Sequence, residues 1–282
     1  MPPKSRLGQN FLCDQQAIRR IVAALGDLTS RTVVEIGPGQ GAITRELATK
    51  AAKLIALEVD PALAAHLSAS YGQSAPNVSV ETIDVLAFDF AAASAVAAQK
   101  LIVVGNLPYY ITSPILMKLA GNAKALDRAV LMVQREVADR ITGAPGSRDY
   151  GLLSVVVQLH GPVEPLFTLP PGAFSPPPEV HSTVFRWRFA PRFDELNIEH
   201  EPFIAFLRRV FALKRKTLAN NLRATGLEPH KITKALASAN VDAKARAEAL
   251  PIETLAELFR TLQNEGAIPS NEMAPAKDEP DS

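Results

Sequence analysis

The stretch VVEIGPGQGAIT, residues 33–44, decides the fold of this chain. A β-rich run ends at Ile36, and Gly37, Gly39 and Gly41 follow it before a segment with helical character. Glycines let a backbone approach a ligand closely, and the first turn of a helix offers N–H groups that have no partner within the helix. The order of strand, glycine turn and helix therefore predicts a βα unit with a ligand site at its turn.

The same alternation of strand and helix continues through the first two-thirds of the chain. Short β-rich runs lie at residues 32–36, 53–57, 78–83, 101–104 and 129–133. Helical patterns lie at residues 14–25, 41–49, 61–69, 113–119, 135–141 and 151–159. Strands separated by helices favour an α/β fold with a parallel sheet and helices on both faces. Two further runs, 163–168 and 183–189, flank a proline-rich loop and would add an antiparallel pair at the edge of the sheet.

The pattern changes near residues 192–201, and we divide the chain there. The predicted parts are a first domain, 1–195, a helical second domain, 196–266, and an acidic tail, 267–282. Helices in the second domain are predicted at residues 203–223, 230–239 and 252–263. The tail is low in apolar residues and rich in Pro, Asp and Glu, so we expect it to be disordered.

The composition predicts a well-packed core, with 47% hydrophobic and 21% charged residues in a chain of 282. The single cysteine, Cys13, excludes an internal disulfide framework and fits a reducing cytoplasm. There is no run of about 18 apolar residues, and the N-terminus lacks the apolar region of a signal peptide. The five histidines show no metal-ligand spacing, so we expect no metal site.

The charge is sorted along the chain although the net charge is only +1. Residues 203–235 contain eight Lys and Arg against one acid, whereas residues 265–282 contain five acids against one Lys. A basic segment followed by an acidic one favours a polyanionic partner. A solvated helix face is the alternative explanation of the basic segment.

Polar side chains stand at the ends of three further predicted strands. Glu58 ends the second strand, Asp84 the third and Asn106 the fourth. Ligands of an open parallel sheet bind at these carboxyl ends. Glu58 is placed to accept from two ribose hydroxyls and Asp84 from an adenine amino group, which suits an adenosine without phosphate, such as S-adenosylmethionine (SAM). The alternative is a tight turn and two surface carboxylates. The glycine spacing also differs from the G-x-G-x-x-G pattern of dinucleotide sites.

The segment VVGNLPYYIT, residues 103–112, predicts a pocket for a flat ring that carries an amino group. The amide oxygen of Asn106 and a backbone carbonyl could accept the two N–H bonds of an adenine N6. Pro108 keeps Leu107 extended and so frees its carbonyl from a helix. Tyr109 could stack on the base. The alternative is a proline turn with Tyr109 and its neighbour in the core.

Together these residues resemble the ribosomal RNA adenine dimethyltransferases, specifically the KsgA family that acts on small-subunit rRNA. The resemblance is carried by the motifs GQNFL (8–12), VVEIGPGQGAIT (33–44), ALEVD (56–60), DVL (84–86), NLPYYITSPI (106–115), FSPPPEVHSTV (174–184) and RRVFALKRKTLANNL (208–222). It implies a Rossmann-like methyltransferase domain with a mostly parallel seven-stranded sheet, followed by a small helical domain. It also implies SAM as methyl donor and two adjacent adenosines in the 3′-terminal hairpin of small-subunit rRNA as acceptors. A cytoplasmic, monomeric protein with a role in assembly of the small ribosomal subunit is expected.

The resemblance also assigns roles to individual residues. The residues implied to bind SAM are Asn10, Leu12, Gly37, Gly39, Glu58, Asp84 and Asn106. Catalytic roles are implied for Asn106, Leu107 and Pro108, which present the acceptors, and for Tyr109 and Phe174, which stack on the base. Phosphate contacts to rRNA are implied for Arg208, Arg209, Lys214, Arg215, Lys216 and Arg223. In the predicted helix 203–223, Arg208 and Arg215 share one face, as do Arg209 and Lys216.

Two rival functions remain at this point. Macrolide-resistance methyltransferases dimethylate one adenosine of large-subunit rRNA with a similar catalytic half. A non-catalytic factor of ribosome assembly is the second, although the intact motif at residues 106–109 disfavours it. An NAD-dependent dehydrogenase is disfavoured by the glycine spacing.

Overall fold

The computed structural model describes residues 10–213 and 216–268. The chain divides into two compact units. The first comprises Met1–Thr142 and His160–Ala190, and the second comprises Gly143–Leu159 and Pro191–Ser282. Residues 143–159, which the sequence-based division assigned to the first domain, thus belong to the second unit.

Strands of the first unit form one large sheet and one small pair. In chain order they are β1 (Phe11–Leu12), β2 (Thr32–Ile36), β3 (Lys53–Glu58), β4 (Val78–Thr82), β5 (Leu101–Asn106), β6 (Leu126–Gln134), β7 (Val163–Leu169), β8 (Phe174–Ser175) and β9 (Ser182–Arg188). Within the described residues the large sheet has seven strands in the order β4-β3-β2-β5-β6-β9-β7. The first five strands of this order are parallel, and β9 runs antiparallel to β6 and β7. The mostly parallel sheet and its antiparallel edge pair are confirmed.

The central strands are mainly apolar because both faces of the sheet are covered. Val33 and Val34 of β2 are fully buried, as are Ile102 and Val103 of β5. Such continuous apolar runs are typical of parallel strands between two layers of helices. The helices of the first unit are α1 (Gln15–Ala24), α2 (Ala42–Ala48), α3 (Pro61–Tyr71), α4 (Phe90–Ala97), α5 (Thr112–Gly121) and α6 (Arg135–Thr142).

Two of these helices illustrate how the sequence sets their ends. Asp14 caps α1, and its side chain accepts hydrogen bonds from the backbone N–H groups of Gln16 and Ala17. Helix α4 was not predicted, since it is rich in alanine and buries only Phe90. Its start does carry a signal, because Asp89 caps it by accepting from the N–H of Ala92.

The second unit is helical. Its helices are α7 (Leu152–Leu159), α8 (Phe193–Leu196), α9 (His200–Val210), α10 (Leu218–Ala224), α11 (Pro229–Ser238) and α12 (Ile252–Asn264). Three buried rings, Phe203, Phe206 and Phe259, pack with centroids 5.3 to 5.9 Å apart and join α9 to α12. The hydroxyl of Tyr150 donates to the carbonyl of Leu250 at 3.1 Å, which ties the segment before α7 to the segment before α12.

The prediction of one helix over residues 203–223 is wrong, because a non-helical segment separates α9 from α10. Asn221 donates through Nδ2 to the carbonyl of Val210 at 2.8 Å and thereby satisfies the end of α9. Thr217 caps α10 by accepting from the N–H of Asn220. Lys216 therefore lies outside both helices and shares no helical face with Arg209. Lys214 and Arg215 lie outside the described residues.

The end of the described chain is packed rather than extended. Ala267 donates to the carbonyl of Leu262 at 2.9 Å, and Ile268 is buried. The prediction of disorder from residue 267 onward is therefore wrong for these two residues. The rest of the predicted tail lies outside the described residues. Across residues 10–213 and 216–268, the helices lack the length and apolar character needed to cross a membrane.

Candidate active site

The strand order brings two motifs of the sequence side by side. Strands β2 and β5 are neighbours at the point where the strand order reverses, and Ile36 pairs with Gly105 at their carboxyl ends. Gly37 and Asn106 follow directly, so the glycine turn and the NLPYY motif meet there. Ligands of open α/β sheets bind at such a point. A cavity of about 370 Å³ lies here, and its lining includes Asn10, Leu12, Gly37, Gly39, Glu58, Asp84 and Asn106.

The glycine turn is packed closely against β1. Gly39 has a φ of +56°, and a Cβ atom on it would lie 2.9 Å from Cδ1 of Phe11. Any side chain here would collide with the ring and would also strain the backbone. The close contact holds β1 at the cavity, which explains why Asn10 and Leu12 line it.

Glu58 is a buried carboxylate fixed by two backbone donors. Its Oε2 accepts from the N–H of Gly39 and its Oε1 from the N–H of Asp60, each at 3.0 Å. The residue is only 2% exposed. Each carboxylate oxygen can accept more than one hydrogen bond, so both keep acceptor capacity toward the cavity. This arrangement suits two neighbouring hydroxyl donors.

Asp84 stands at the outer part of the cavity. Its Oδ1 accepts from the N–H of Leu86 at 2.9 Å, and Asp84 is exposed. The apolar side chains of Val59, Ile83 and Val85 line the same part of the cavity. An apolar slot with a carboxylate at its rim suits a flat ring that carries an amino group.

Glu35 also lines the cavity and was not predicted. It is buried in the middle of the sheet, where Thr44 donates through Oγ1 to its Oε2 at 2.7 Å. Burial is the main cause that raises the pKa of Glu35 to about 7; the charge of Glu58 contributes to this shift, and hydrogen bonds from Thr44 oppose it. The sequence carried a signal for this residue, because an acid interrupts an otherwise apolar strand in VVEI.

The Asn106 side chain is oriented by the chain that enters β1. Its Nδ2 donates to the carbonyl of Asn10 at 3.0 Å, which leaves Oδ1 as an acceptor. The N–H of Leu107 donates to the carbonyl of Met132 at 2.9 Å. Within the described chain, the Leu107 carbonyl accepts no hydrogen bond.

The Pro108 carbonyl is already engaged. It accepts from Oγ1 of Thr112 at 2.9 Å and from the N–H of Ile111 at 3.3 Å. Of the two carbonyls that follow Asn106, that of Leu107 is therefore the open one. Both Leu107 and Pro108 line the cavity.

The two tyrosines of the motif differ in their surroundings. Tyr109 is half-buried, and its hydroxyl lies 3.3 Å from Oγ of the buried Ser182. Tyr110 is 60% exposed and also lines the cavity. The interpretation of both rings as core residues is therefore wrong for Tyr110.

Phe174 is not where the sequence predicted. Its ring was expected over the pocket, but the residue is 4% exposed and belongs to the apolar core cluster with Leu169 and Ala173. The reason is that β8 pairs with β1, which sets Phe174 opposite Leu12. The cavity lining in the described chain does not include Phe174. Its stacking role stays a prediction.

The predicted RNA-binding residues are surface cations of the second unit. Arg208 and Arg209 are exposed in the last turn of α9, and Lys216 is exposed before α10. Arg223 is exposed on α10 and donates to Oδ1 of Asn220 at 3.1 Å. With Lys214 and Arg215 outside the described residues, the role of this group stays a prediction.

The charges of the cavity fit SAM better than a nucleotide phosphate. The lining holds three acidic side chains, Glu35, Glu58 and Asp84, and in the described chain it includes no Lys or Arg. Carboxylates favour a ligand with a sulfonium and an amino group over one with phosphates.

Comparisons with known proteins agree with this geometry. The model of the family described as ribosomal RNA adenine dimethylase matches residues 3–264. A ribosomal RNA small subunit methyltransferase A of Acidobacterium capsulatum is 57% identical over 261 residues, which cover 93% of this chain and 92% of that protein. The protein of the same name from Koribacter versatilis is 46% identical over 271 residues, covering 92% and 94%.

Solved structures of related enzymes share the fold. The crystal structure of a dimethyladenosine transferase from Plasmodium falciparum has a TM-score of 0.74 at 22% identity, covering 92% of this chain and 99% of that one. The crystal structure of the 23S rRNA methyltransferase ErmE has a TM-score of 0.67 at 27% identity, covering 90% and 100%. The chain belongs to the ribosomal RNA adenine dimethylase family, and it is a methyltransferase of ribosomal RNA that uses SAM.

Proposed function

We propose that this enzyme dimethylates N6 of two adjacent adenosines in the 3′-terminal hairpin of small-subunit rRNA. The relatives with 57% and 46% identity are both named for the small subunit, whereas the 23S rRNA enzyme is 27% identical. The proposal includes the assembling small subunit as partner, a role in small-subunit biogenesis, and a monomeric, cytoplasmic enzyme.

One observation carries the chemistry: the Asn106 amide is fixed by Asn10, and the neighbouring Leu107 carbonyl is open. The lone pair of an adenine N6 is delocalised into the ring, so N6 is a poor nucleophile. Two acceptors that bind its two N–H groups localise this lone pair and aim it. Asn106 Oδ1 and the Leu107 carbonyl are the two acceptors of the proposal, and the engaged Pro108 carbonyl supports the choice of Leu107.

When bound, SAM supplies a methyl group on a positively charged sulfur. Glu58 and Asp84 would hold its ribose and adenine, and the turn at Gly39 would lie against it. The chain then orients the reactants and stabilises the developing charge, and these two effects can account for most of the reduction of the barrier to methyl transfer. A methylated N6 is positively charged and releases its proton readily, so no basic side chain is required.

Tyr109 would hold the target base in place. Base–aromatic stacking contributes about 1–3 kcal/mol per base. The contact between the hydroxyl of Tyr109 and Ser182 fixes the direction of the ring, which reduces the freedom that binding must restrict. The cations Arg208, Arg209, Lys216 and Arg223 would contact rRNA phosphates and make binding depend on salt. Lys214 and Arg215 complete the proposed set.

The test offers purified enzyme and methyl-labelled SAM to three substrates: small ribosomal subunits that lack the modification, large subunits, and duplex DNA. Asn106→Ala runs alongside. We expect label in small-subunit rRNA, recovered as N6,N6-dimethyladenosine, and none with the variant. Label in large-subunit rRNA would replace the proposal by the resistance-type function. Binding to small subunits without transfer would indicate an assembly factor.

A further inference from the structure

A second cavity, of about 430 Å³, lies at the opposite end of the strands from the active site. It is lined by the residues that end α1, 23–26, and by Asp127, Arg128, Arg186, Arg188 and Phe189. Arg128 precedes Met132 by four residues, and Met132 pairs with Asn106. At the rise per residue of a β-strand, Arg128 and Met132 are about 13 Å apart along β6. We call Arg31, Arg128, Arg186 and Arg188 the arginine cluster.

The arginine cluster places like charges directly beside one another. Arg128 and Arg188 are paired across β6 and β9, and Arg186 lies two residues along β9 on the same face. Like charges directly opposite each other in a sheet repel. Burial lowers the pKa of Arg128, and Arg31, Arg186 and Arg188 lower it further, although Asp127 opposes the shift. The folded chain therefore maintains a concentration of positive charge at this site.

Acidic side chains neutralise the arginine cluster only in part. Asp127 accepts through Oδ2 from Nη2 of Arg31 at 2.8 Å and from Nη1 of Arg128 at 2.6 Å. Glu164 accepts through Oε2 from Nη2 of Arg186 at 2.5 Å. The cluster thus holds four guanidinium groups against two carboxylates, an excess of two positive charges.

Two members of the cluster retain donors. Arg188 is exposed and forms no ion pair within the described residues. The buried Nε of Arg31 has no hydrogen-bond partner there either. Arg128 is held rigidly, because its Nε donates to the carbonyl of Leu25 at 2.7 Å. A fixed guanidinium beside a free one is suited to an oxyanion with several acceptor oxygens.

We propose that the arginine cluster binds phosphate groups of the rRNA backbone, as a contact separate from the active site and from the basic segment near α9 and α10. This inference rests on the proposed action on rRNA. Arg128, Arg186 and Arg188 lie on strands, and a contact to phosphate would position the RNA without reading its sequence. A free phosphate ion offers the same chemistry, and the experiment must separate the two.

The test compares Arg188→Gln with the matched control Lys53→Gln. Lys53 is exposed at the start of β3, in the same sheet but outside the second cavity. Both variants remove one positive charge, and Arg188 forms no described ion pair, so its loss should not disturb folding. Arg186→Gln, which loses only the pair with Glu164, is the second variant. Filter binding of small-subunit rRNA is measured without SAM between about 50 and 200 mM salt.

We expect Arg188→Gln to reduce the slope of log affinity against log salt by about 0.7 to 0.9, the values for one phosphate contact in single strands and in duplex DNA, and to leave SAM affinity unchanged. The control should keep the wild-type slope. Wild-type slopes in both arginine variants would overturn the proposal. Equal losses in Arg188→Gln and Lys53→Gln would also overturn it, because only net charge would then matter.

A second arm separates RNA from free phosphate. Thermal unfolding is measured in inorganic phosphate and in chloride at equal ionic strength. Stabilisation by phosphate that Arg188→Gln removes, with an unchanged RNA slope, would replace RNA by a small phosphate ligand. The binding assay needs no methyl transfer. A wild-type enzyme that fails to methylate small subunits would therefore contradict the proposed function and leave the arginine result interpretable.

Discussion

The side-chain amide of Asn106 donates a 3.0 Å hydrogen bond to the backbone carbonyl of Asn10, 96 residues earlier in the chain. This bond joins the end of a central strand to the segment that enters β1. It settles which way the amide faces, because only the nitrogen can donate to a carbonyl. The orientation of one proposed acceptor therefore depends on a backbone atom of the N-terminal segment.

The first prediction follows from this bond. Asn106→Asp keeps the size of the side chain but cannot donate to Asn10, so its carboxylate should turn away. Both Asn106→Asp and Asn106→Ala should lower the single-turnover rate of methyl transfer by about 100-fold or more. Asn122→Ala, which removes an amide that bonds only the carbonyl of Lys118, is the matched control. A rate for Asn106→Asp within about threefold of wild type would contradict the assigned orientation.

The second prediction separates the ring of Tyr109 from its hydroxyl. Tyr109→Phe loses only the contact with Ser182, a bond of about 1 kcal/mol, and should lower kcat/KM by about fivefold or less. Tyr109→Ala loses stacking worth about 1–3 kcal/mol and should lower kcat/KM by about 10- to 100-fold. Steady-state rates on small subunits measure both effects. Equal losses in the two variants would assign the role to the hydroxyl instead.

The third prediction concerns the packing of the glycine turn. Gly39→Ala places a methyl group 2.9 Å from the Phe11 ring at a φ of +56°. Strain of about 1–3 kcal/mol should displace the turn and weaken SAM binding roughly tenfold, as measured by calorimetry. Phe11→Ala in the same chain should restore part of the affinity. Gly121→Ala, where a methyl group meets nothing within 4 Å, should bind SAM normally. Unchanged affinity in Gly39→Ala would show that the turn can move freely.

The fourth prediction is a pH dependence that arises from Glu35. Burial raises the pKa of its carboxyl from 4.5 to about 7, so the folded state retains a proton that the unfolded state has lost between these values. The contribution of this group to the free energy of unfolding is fully present below about pH 4.5 and is lost as pH rises through about 7. The total change is on the order of 3 kcal/mol. Glu35→Gln keeps an acceptor for Thr44 and should remove this component.

Urea unfolding without SAM between pH 4.5 and 8 measures the effect. The difference between wild type and Glu35→Gln is the relevant quantity, since other groups titrate in both proteins. A difference that does not change with pH would mean that Glu35 is ionised throughout the range.

The fifth prediction tests the bond between Tyr150 and Leu250. Tyr150→Phe leaves the Leu250 carbonyl without its donor, which should reduce the free energy of unfolding of the second unit by about 1–3 kcal/mol. Hydrogen exchange of the α7 amides should accelerate accordingly. Tyr110→Phe, whose ring is 60% exposed, should show wild-type exchange. Unaltered exchange in Tyr150→Phe would mean that α7 is held by apolar packing alone.

Local patterns predicted much of the fold and of the site. The run at residues 32–36 became β2 with the same bounds, because a strand covered on both faces needs a mainly apolar sequence. Gly37, Glu58, Asp84 and Asn106 follow or end strands of the parallel sheet and line one cavity, because such strand ends meet at one edge. Asn10 and Leu12, which only the family resemblance implied, line the same cavity from β1 and the residue before it. Glu35 was missed since its position lies inside a strand rather than at a tip.

The errors have a common cause in contacts between distant residues. The break near residue 211 depends on Asn221 bonding to Val210, and neither glycine nor proline marks it. Phe174 is drawn into the core by the pairing of β8 with β1, which joins residues more than 160 positions apart. The assignment of residues 143–159 to the second unit involves Tyr150 and Leu250, which are 100 positions apart.

The early position of α7 in the chain has a consequence during synthesis. Of the helices in the second unit, α7 leaves the ribosome first. Helix α9 begins 41 residues and α12 begins 93 residues after Leu159, the last residue of α7 (200 − 159 and 252 − 159). At a synthesis rate of about 5–20 residues per second, roughly 5 to 20 seconds pass between the end of α7 and the start of α12. Until α9 has been synthesised, the buried side chains Val155, Val156 and Val157 lack the later helix that packs against α7. The helical unit thus closes only after α12 has been synthesised.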